Sequence, residues 1–512
     1  MFKSLMTSRK FAPLFWCQLC SALNDNFLKN ALVMLMLFGF GGAGGAAGEH
    51  ASTLITISGV VFIAPFFLLS ALGGEIADRC DKAFVARRIR LTEIPIAALA
   101  AIGFFLHSVP ILFVALGLFG VVAALFGPVK YGILPEKLRT AELPAGNALV
   151  EGATFLAILV GSIAGNVAVA ATGSAAVVVG VILALAVASW SFAGEIPAAG
   201  PAAPGLAVTA NPWTSTLALL RELKGDRRLW GGAQIVSWFW LVGFVALALL
   251  PTLIKTLVNG SEDVVTMCLA MFTIGIAVGS GLAARASHGQ PNLGLVPVGA
   301  ALMGLFALGI AWVAAVLSPG LQPIGPAELI ASAPGLVLSV CLCGLAVAGG
   351  LFIVPSFAAV QAWAPVERRA RVIAAVNVLN AAYMVGAGAV VALLQAAGVG
   401  TPLLFAALGL FCIAAVAYVV HAWGAEVMRD AARTIFRFFF RLEVSGLENI
   451  PPAGERVVLT PNHVSLLDGP VLHAILPARA GFAVNSQMCK PGGCAPSLAI
   501  VGSRAWPLQG TR

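Results

Sequence analysis

The chain has 512 residues, of which 60% are hydrophobic and only 10% are charged. Soluble globular proteins contain about 25% charged residues, so this composition excludes a soluble protein and indicates a polytopic membrane protein. The net charge of +8 does not indicate a nucleic-acid partner, because the basic residues follow the predicted membrane boundaries. The nine cysteines are scattered without a metal-ligand framework, so we expect no bound metal and no cofactor.

Hydropathy predicts twelve membrane-spanning segments, at residues 11–38, 53–73, 91–107, 109–127, 146–171, 174–193, 229–254, 264–284, 293–317, 334–360, 372–396 and 401–423. If the N-terminus is cytoplasmic, nearly all flanking Lys and Arg residues fall on the cytoplasmic side, including Lys82 and Arg90 in the predicted loop after the second segment. The positive-inside rule therefore predicts a multi-pass protein with both termini in the cytoplasm.

The twelve segments divide into two sets of six. Residues 194–228 are first rich in Pro, Ala and Gly and then basic, which is typical of a cytoplasmic linker. We therefore predict one six-helix half at residues 1–193 and a second at residues 229–423, an arrangement found in transporters with a central site.

The first predicted segment contains an unusual polar stretch, with Asn24, Asp25, Asn26 and Lys29 in its middle. Charges at this depth are costly and usually face a bundle interior or an aqueous cavity. Asp25 and Lys29 are four residues apart and share a helical face. They either neutralise each other and fix helix packing, or line a substrate path; the neighbouring amides favour the path.

The loop after the second segment contains Gly74, Asp78 and Arg79, followed by further basic residues. This spacing resembles the Gly-x-x-x-Asp-Arg signature of the major facilitator superfamily. The resemblance implies that Asp78 meets a helix N-terminus and a basic partner between the two halves and takes part in gating. The corresponding stretch of the second half, Gly281 to Arg285, lacks the acidic residue.

Two further groups of polar residues lie near the predicted fifth segment, one before it and one within its first turns. Lys130, Tyr131 and Glu136 lie in a stretch with Pro128 and Pro135 that predicts a shaped turn. Lys130 and Glu136 are either site residues or part of a solvated loop.

Asn147 and Glu151 lie one helical turn apart on one face of the segment itself. Glu151 is either a site residue or half of a buried ion pair.

Together, the Asn24-Asp25-Asn26 stretch, the Pro128–Glu136 stretch and the Asn147-x-x-x-Glu151 pair resemble bacterial lysophospholipid transporters. The resemblance covers residues 1 to 423 and implies an all-α, twelve-helix major facilitator fold in the bacterial inner membrane. It also implies lysophospholipid and membrane lipids as partners, with lysophosphatidylethanolamine moved to the cytoplasmic leaflet. The alternative is a major facilitator exporter of amphipathic drugs or other solutes.

Residues 424–445 carry a basic stripe beside several aromatic side chains, with arginines at positions 429, 433, 437 and 441. This pattern predicts an amphipathic helix in the membrane interface, attracted by anionic headgroups. The alternative is an ordinary amphipathic linker in solution.

Residues 446–512 contain a short β-type run followed by His463 and, five residues later, Asp468. With the flanking Asn462 and Ser465, this resembles the first motif of glycerolipid acyltransferases. The resemblance implies that His463 is the general base and that Asp468 orients its ring, with acyl carrier protein or acyl-CoA as the acyl donor.

Downstream family motifs are missing, so we predict only the N-terminal part of an α/β acyltransferase domain, expect the chain to be truncated, and leave its enzymatic activity open. A third interpretation is a membrane-tethered acyltransferase for which the helices serve as an anchor.

Overall fold

A computed structural model of the chain describes residues 2–38, 49–170, 174–209, 211–287, 290–316, 324–440, 442, 444–446, 449–450, 460–462, 467–476, 483–485 and 504–506. The first half contains α1 (Phe2–Met6), α2 (Ala12–Phe38), α3 (Glu49–Arg79), α4 (Lys82–Phe105), α5 (Val109–Lys137), α6 (Leu143–Ala170) and α7 (Ala175–Gly194). The linker contains α8 (Pro212–Gly225). The second half contains α9 (Arg227–Leu253), α10 (Glu262–Ala286), α11 (Leu295–Val316), α12 (Pro326–Ala331), α13 (Ala333–Trp363), α14 (Arg369–Ala396) and α15 (Thr401–Phe439).

Each of the twelve predicted segments falls on one long helix among these. Ten of the long helices in the described residues are long and apolar enough to cross a membrane. The other two are α2, which carries charged and amide side chains in its middle, and α4, whose first half carries several charged side chains. The helices therefore lie where hydropathy predicts them.

The predicted turn after the fourth segment is wrong. α5 continues as a helix through Pro128 and Pro135 to Lys137, so Lys130 and Tyr131 are helical residues. Proline breaks helices readily in water, but helices in a membrane bundle tolerate it because their neighbours satisfy the freed backbone groups.

The two halves pack most closely around the end of α3. A Cβ atom on Gly74 would lie 2.7 Å from the Ala374 Cβ atom, so α3 and α14 approach almost backbone to backbone. On α14, residues 372–381 are buried, whereas Val390 is 55% and Leu393 is 71% exposed. The α3–α14 pair is thus closed at the end that carries Gly74 and Asp78, and α14 is exposed toward its other end.

The linker is more ordered than its composition predicts. Asn211 caps α8 through its side-chain oxygen, which accepts from the backbone N–H groups of Trp213 and Thr214. Glu75 on α3 accepts hydrogen bonds from the Thr209 backbone N–H at 2.7 Å and the Ser215 hydroxyl at 2.6 Å. The linker is therefore attached to the end of α3 that faces the second half.

The C-terminal part begins inside α15, whose backbone leaves helical geometry at Trp423 (φ −130°, ψ 22°) and then continues as helix to Phe439. A short helix, α16 (Asp468–Ile475), packs on α15. Strands β1 (Ala483–Asn485) and β2 (Arg504–Trp506) pair in parallel. These elements do not show the predicted α/β acyltransferase domain, and His463 lies outside the described residues.

Candidate functional site

A buried ion pair on α4 lies at the centre of the polar cluster. The guanidinium of Arg90 donates to Glu93 at 2.6 Å and to the Ser21 hydroxyl at 2.5 Å, and it stacks over the Phe126 ring at 3.7 Å. Arg90 is 1% exposed and Glu93 is fully buried. The sequence-based assignment of Arg90 to a cytoplasmic loop is therefore wrong: α4 begins at Lys82, and Arg90 is enclosed between helices.

The three asparagines of α2 have different hydrogen-bond partners. Asn24 is fully buried and donates to Glu93 at 3.1 Å and to the Ile182 carbonyl of α7 at 3.2 Å. Asn26 donates to the Ala22 carbonyl within its own helix, and Asn30 donates to the Ser162 hydroxyl of α6 at 2.9 Å. Asn24 and Asn30 thus hold α2 between its neighbours.

Asp25, Lys29 and Lys130 are half-buried, and their charged groups form no hydrogen bond or ion pair with a residue that the structure describes. Asp25 interacts electrostatically with Glu93 and Arg90, and also with Lys130 and Lys29. Within the described residues, however, no ion pair of 4.0 Å or less joins Asp25 to either lysine. Charges of both signs therefore lie near one another without a direct ion pair among the described residues.

Glu151 and Tyr131 form a second buried contact beside Lys130. The Tyr131 hydroxyl donates to Glu151 Oε1 at 2.8 Å, and the Lys130 ammonium lies 4.6 Å from the centre of the Tyr131 ring. Glu151 is 1% exposed and interacts electrostatically with Lys130. Its other oxygen, Oε2, has no hydrogen-bond partner among the described residues.

Asn147 joins the first half to the second half. Its amide nitrogen donates to Gln361 Oε1 of α13 at 2.7 Å, and Gln361 Nε2 lies 3.4 Å from the Tyr131 carbonyl. All three residues are buried.

Asp78 lies at the N-terminus of α14, in the second half. Its carboxylate accepts from the backbone N–H groups of Ala370 at 3.0 Å and Arg371 at 3.1 Å, and from Arg371 Nε at 3.3 Å. A carboxylate at a helix N-terminus is favoured by the exposed N–H groups and the helix dipole. Lys82 lies 3.7 Å from Asp78 and 2.6 Å from Glu136, so Glu136 belongs to this contact and not to a solvated loop.

The other two residues of the signature differ in their surroundings. Gly74 permits the close approach of α3 to α14. Arg79 is exposed and makes no hydrogen bond or ion pair within the described part of the chain. Only Gly74 and Asp78 of the signature therefore contact the second half.

Asp81, in the turn between α3 and α4, binds the linker at the end of α3 that carries Asp78. Its carboxylate accepts from four backbone N–H groups, those of Ala83, Phe84, Ala199 and Gly200. Partial burial raises the pKa of Asp81, but these four donors outweigh it, so its pKa lies below the ordinary value.

In the second half, the described polar contacts between α9 and α14 join uncharged side chains. Ser237 on α9 donates to Asn380 on α14 at 2.8 Å, and Tyr383 on α14 donates to Gln234 on α9. Phe155 of α6 stacks on Trp240 of α9, with 6.1 Å between ring centres. Between the halves, the charged cluster thus meets aromatic and amide side chains.

Several of these residues were not predicted from the sequence. Glu93 follows Arg90 by three positions, and this acid–base spacing inside an apolar run was a usable signal. Gln361 and Arg371 carry no such signal, because their partners lie more than two hundred positions away in sequence.

The acyltransferase motif is only partly described. Asp468 is the first residue of α16, whereas its predicted partner His463 lies outside the described residues, so the structure does not test their pairing. Among the residues that the structure describes, no group of three or more His, Cys, Asp or Glu side chains could hold a metal ion.

Similar proteins share this architecture. The chain is 34% identical over 237 residues to the lysophospholipid transporter LplT of Yersinia enterocolitica, a match that covers 44% of this chain and 54% of that protein. It is 30% identical over 296 residues to LplT of Serratia proteamaculans, which covers 55% and 67%. The matched part thus spans about half to two-thirds of the length of these relatives.

Solved structures extend the likeness over most of the chain. The human organic anion transporter MFSD10 superimposes with a TM-score of 0.64 at 16% identity, over 80% of this chain and 99% of that one. A bacterial homologue of the iron transporter ferroportin, in an outward-facing state, gives a TM-score of 0.60 at 14% identity, over 81% and 98%. The sequence model of the Major Facilitator Superfamily matches residues 14–325, and with this match and this fold the chain belongs to that superfamily.

Proposed function

We propose that this protein transports lysophospholipid and delivers it to the cytoplasmic leaflet of a bacterial inner membrane. The proposal rests on the LplT relatives and on one structural observation. Asp25, Lys29 and Lys130 present charges of both signs, without direct partners among the described residues, inside one half of a membrane protein. Such groups are costly in a membrane unless they serve a substrate or an ion.

The arrangement suits a zwitterionic lipid with one acyl chain. An ammonium group would approach Asp25, a phosphate would approach Lys29 and Lys130, and the acyl chain would lie toward the aromatic groups of the second half. Phe155 of the first half packs against Phe239 and Trp240 of the second half, and these rings form an aromatic cluster where the halves meet. Lysophosphatidylethanolamine has all three chemical features.

Transport requires the closed end to open, and the Asp78 contact is the part of the structure suited to control this step. The contact ties α3 to the N-terminus of α14, and α8 strengthens it through Glu222, which lies 3.3 Å from Arg371 and 3.5 Å from Arg368. We assign Gly74 and Asp78 a gating role, in which their contact breaks when the site opens toward the cytoplasm.

Uptake of lysophosphatidylethanolamine into proteoliposomes tests the proposal. Asp25→Asn and Lys130→Gln should each lower uptake at least tenfold while the protein still purifies as a folded species. The matched control is Asp263→Asn, at an exposed position in the first turn of α10. Uptake by Asp25→Asn equal to that of the unchanged chain would refute the assigned role of the charged cluster.

The same preparation separates this function from export of amphipathic drugs or other solutes. A lysophospholipid carrier should be stabilised against heat by lysophosphatidylethanolamine and less by single-chain cationic amphiphiles. Stabilisation by the cationic amphiphiles alone would favour the exporter. Asp25→Asn should abolish the stabilisation by whichever ligand binds at the cluster.

We also propose that the C-terminal part reacylates the delivered lipid, on the strength of the His463 and Asp468 motif. One contact supports a location beside the transporter: Arg433 Nε of α15 donates to the Ala474 carbonyl of α16 at 2.8 Å, and α16 begins at Asp468. Acyl transfer from a thioester donor to lysophospholipid tests this. A rate that His463→Ala leaves unchanged would exclude the assigned general base.

A further inference from the structure

A cavity of about 300 Å³ lies outside the transport site, between the end of α10 and the last turns of α15. Its polar wall includes Ser287 and Asn292 from the α10–α11 connection, and Arg433, Thr434 and Arg437 from α15. Phe438 completes its rim.

Buried polar contacts hold the walls of the cavity together. The Asp430 carboxylate accepts from the Leu293 backbone N–H at 2.9 Å, and the Asn292 amide donates to the Thr434 hydroxyl at 2.9 Å. Asp430 is 4% and Asn292 is 7% exposed. The end of α15 is therefore fixed against the α10–α11 connection, and the cavity is a formed feature of the fold.

Neither arginine of the cavity forms an ion pair with an acidic side chain in the part of the chain that the structure describes. Arg433 donates to two neutral oxygens, Gln290 Oε1 at 3.1 Å and the Ala474 carbonyl at 2.8 Å. Arg437 makes no hydrogen bond or ion pair to a residue in the described ranges, and its charge is close enough to repel Arg433.

Asp430 attracts Arg433, but its two oxygens are already engaged by Leu293 and Arg429. Two cations that repel each other at one cavity call for an anion between them.

An apolar surface borders this cationic cavity. Phe438 is 82% exposed, Phe439 is 70% and Ile435 is 54%. These side chains follow the break at Trp423, where the predicted membrane-spanning part of α15 ends. Exposed aromatic residues beside arginines are typical of the membrane–water interface.

We propose that this cavity binds the headgroup of an anionic phospholipid of the surrounding bilayer. The phosphate lies between Arg433 and Arg437, where arginine provides charge-assisted hydrogen bonds, and the acyl chains follow the Phe438 and Ile435 side. The occupant is a lipid and not a free phosphate, because a soluble anion would leave the adjoining aromatic surface uncovered. The site does not depend on the transport proposed above.

Native mass spectrometry of the full chain in detergent tests this, with dioctanoyl phosphatidylglycerol as the anionic probe and dioctanoyl phosphatidylcholine as the zwitterionic one. We expect the unchanged chain to retain phosphatidylglycerol preferentially. Arg437→Gln should weaken that binding about fivefold, because one interfacial arginine contributes about 1 kcal/mol. Arg433→Gln/Arg437→Gln should weaken it further.

Two controls keep the result interpretable. Arg437→Lys should keep most of the binding, and Arg285→Gln, at an exposed arginine near the end of α10 that does not line the cavity, should leave it unchanged. Arg437 has no hydrogen bond or ion pair to lose among the described residues, so a folding defect is not expected of its variants. Equal binding by Arg437→Gln, or complete displacement of the lipid by millimolar inorganic phosphate, would overturn the proposal.

Discussion

The two halves of this transporter differ in the polar side chains that their helices carry. The first half carries charged side chains within its long helices: Arg90 and Glu93 on α4 and Glu151 on α6 are buried, and Asp25 and Lys29 on α2 are half-buried. The second half has no Asp, Glu, Lys or Arg in α11 or α13, and its α9–α14 contact joins a hydroxyl to an amide, Ser237 to Asn380.

This difference indicates that the two halves have different roles. Buried charges are expensive, and the first half nevertheless carries them within α4 and α6. One half with charges and one half with aromatic and neutral polar groups fits a substrate with a charged end and an apolar end. The charges that do join the halves, at Asp78 and Arg371, lie at the closed end and suit a gate.

The largest effect should come from breaking the buried pair in the first half. Glu93→Leu leaves the Arg90 guanidinium buried without its carboxylate, which should cost about 3–5 kcal/mol of stability. Thermal unfolding in detergent measures this. Arg90→Leu/Glu93→Leu should recover much of the loss, whereas Asn380→Leu in the second half should cost about 1 kcal/mol. Similar losses in both halves would contradict the inferred difference between the charged contacts of the first half and the uncharged contacts of the second.

The next effect concerns the joint between the halves. Gly74→Leu places a side chain where a Cβ alone would lie 2.7 Å from the Ala374 Cβ atom, so the closed end cannot pack as it does now. Overpacking of this kind costs about 1–3 kcal/mol. We expect lysophosphatidylethanolamine uptake to fall at least tenfold. The control is Gly59→Leu on the same helix, where a Cβ meets nothing within 4 Å; a similar loss there would implicate α3 as a whole.

The sequence predicted the helices well because an apolar run of sufficient length has few alternatives in a membrane. It predicted the location of Asp78 because the acidic residue of the signature is expected to meet a helix N-terminus between the two halves. It failed at Pro128 and Pro135, where a rule for soluble proteins was applied to a helix enclosed by others. It failed at Arg90, because counting basic residues as loop residues cannot distinguish a loop from the buried start of a helix.

The partners of the site residues were the least predictable part. Asn147 and Glu151 were recognised as sharing one face, but nothing local indicates that Asn147 bonds to Gln361 while Glu151 bonds to Tyr131. Likewise, the polar stretch of α2 predicted one lining face, whereas Asn24 packs against α4 and α7. Such pairings depend on how the helices pack, and that is decided by contacts distant in sequence.

A smaller effect should follow from removing the hydrogen bond between Asn147 and Gln361, which joins the two halves. Gln361→Leu removes the acceptor of the Asn147 amide, and the loss of one such hydrogen bond costs about 1 kcal/mol. Thermal unfolding should show a modest decrease. Gln395→Leu, at an exposed position near the end of α14, is the matched control. If both variants unfold alike, the bridge does not contribute to joining the halves.

The smallest effect should be the pH dependence of the linker attachment. The pKa of Asp81 is lowered in the folded protein, because four backbone N–H groups outweigh the effect of partial burial. A carboxyl group with a lowered pKa stabilises the fold above its unfolded pKa of about 3.9, and this contribution is lost as the pH falls through the folded pKa. Asp81→Asn should therefore lower the melting temperature slightly at pH 7, and the difference from the unchanged chain should disappear toward pH 3.

Asp263→Asn is the control for this last measurement, since Asp263 is exposed and makes no hydrogen bond to a described residue. A difference for Asp81→Asn that persisted unchanged at pH 3 would mean that the carboxylate charge is not what holds the linker. The attachment would then depend on the shape of the turn around Gly200, whose φ of 84° favours glycine. Gly200→Ala would in that case destabilise the chain equally at both pH values.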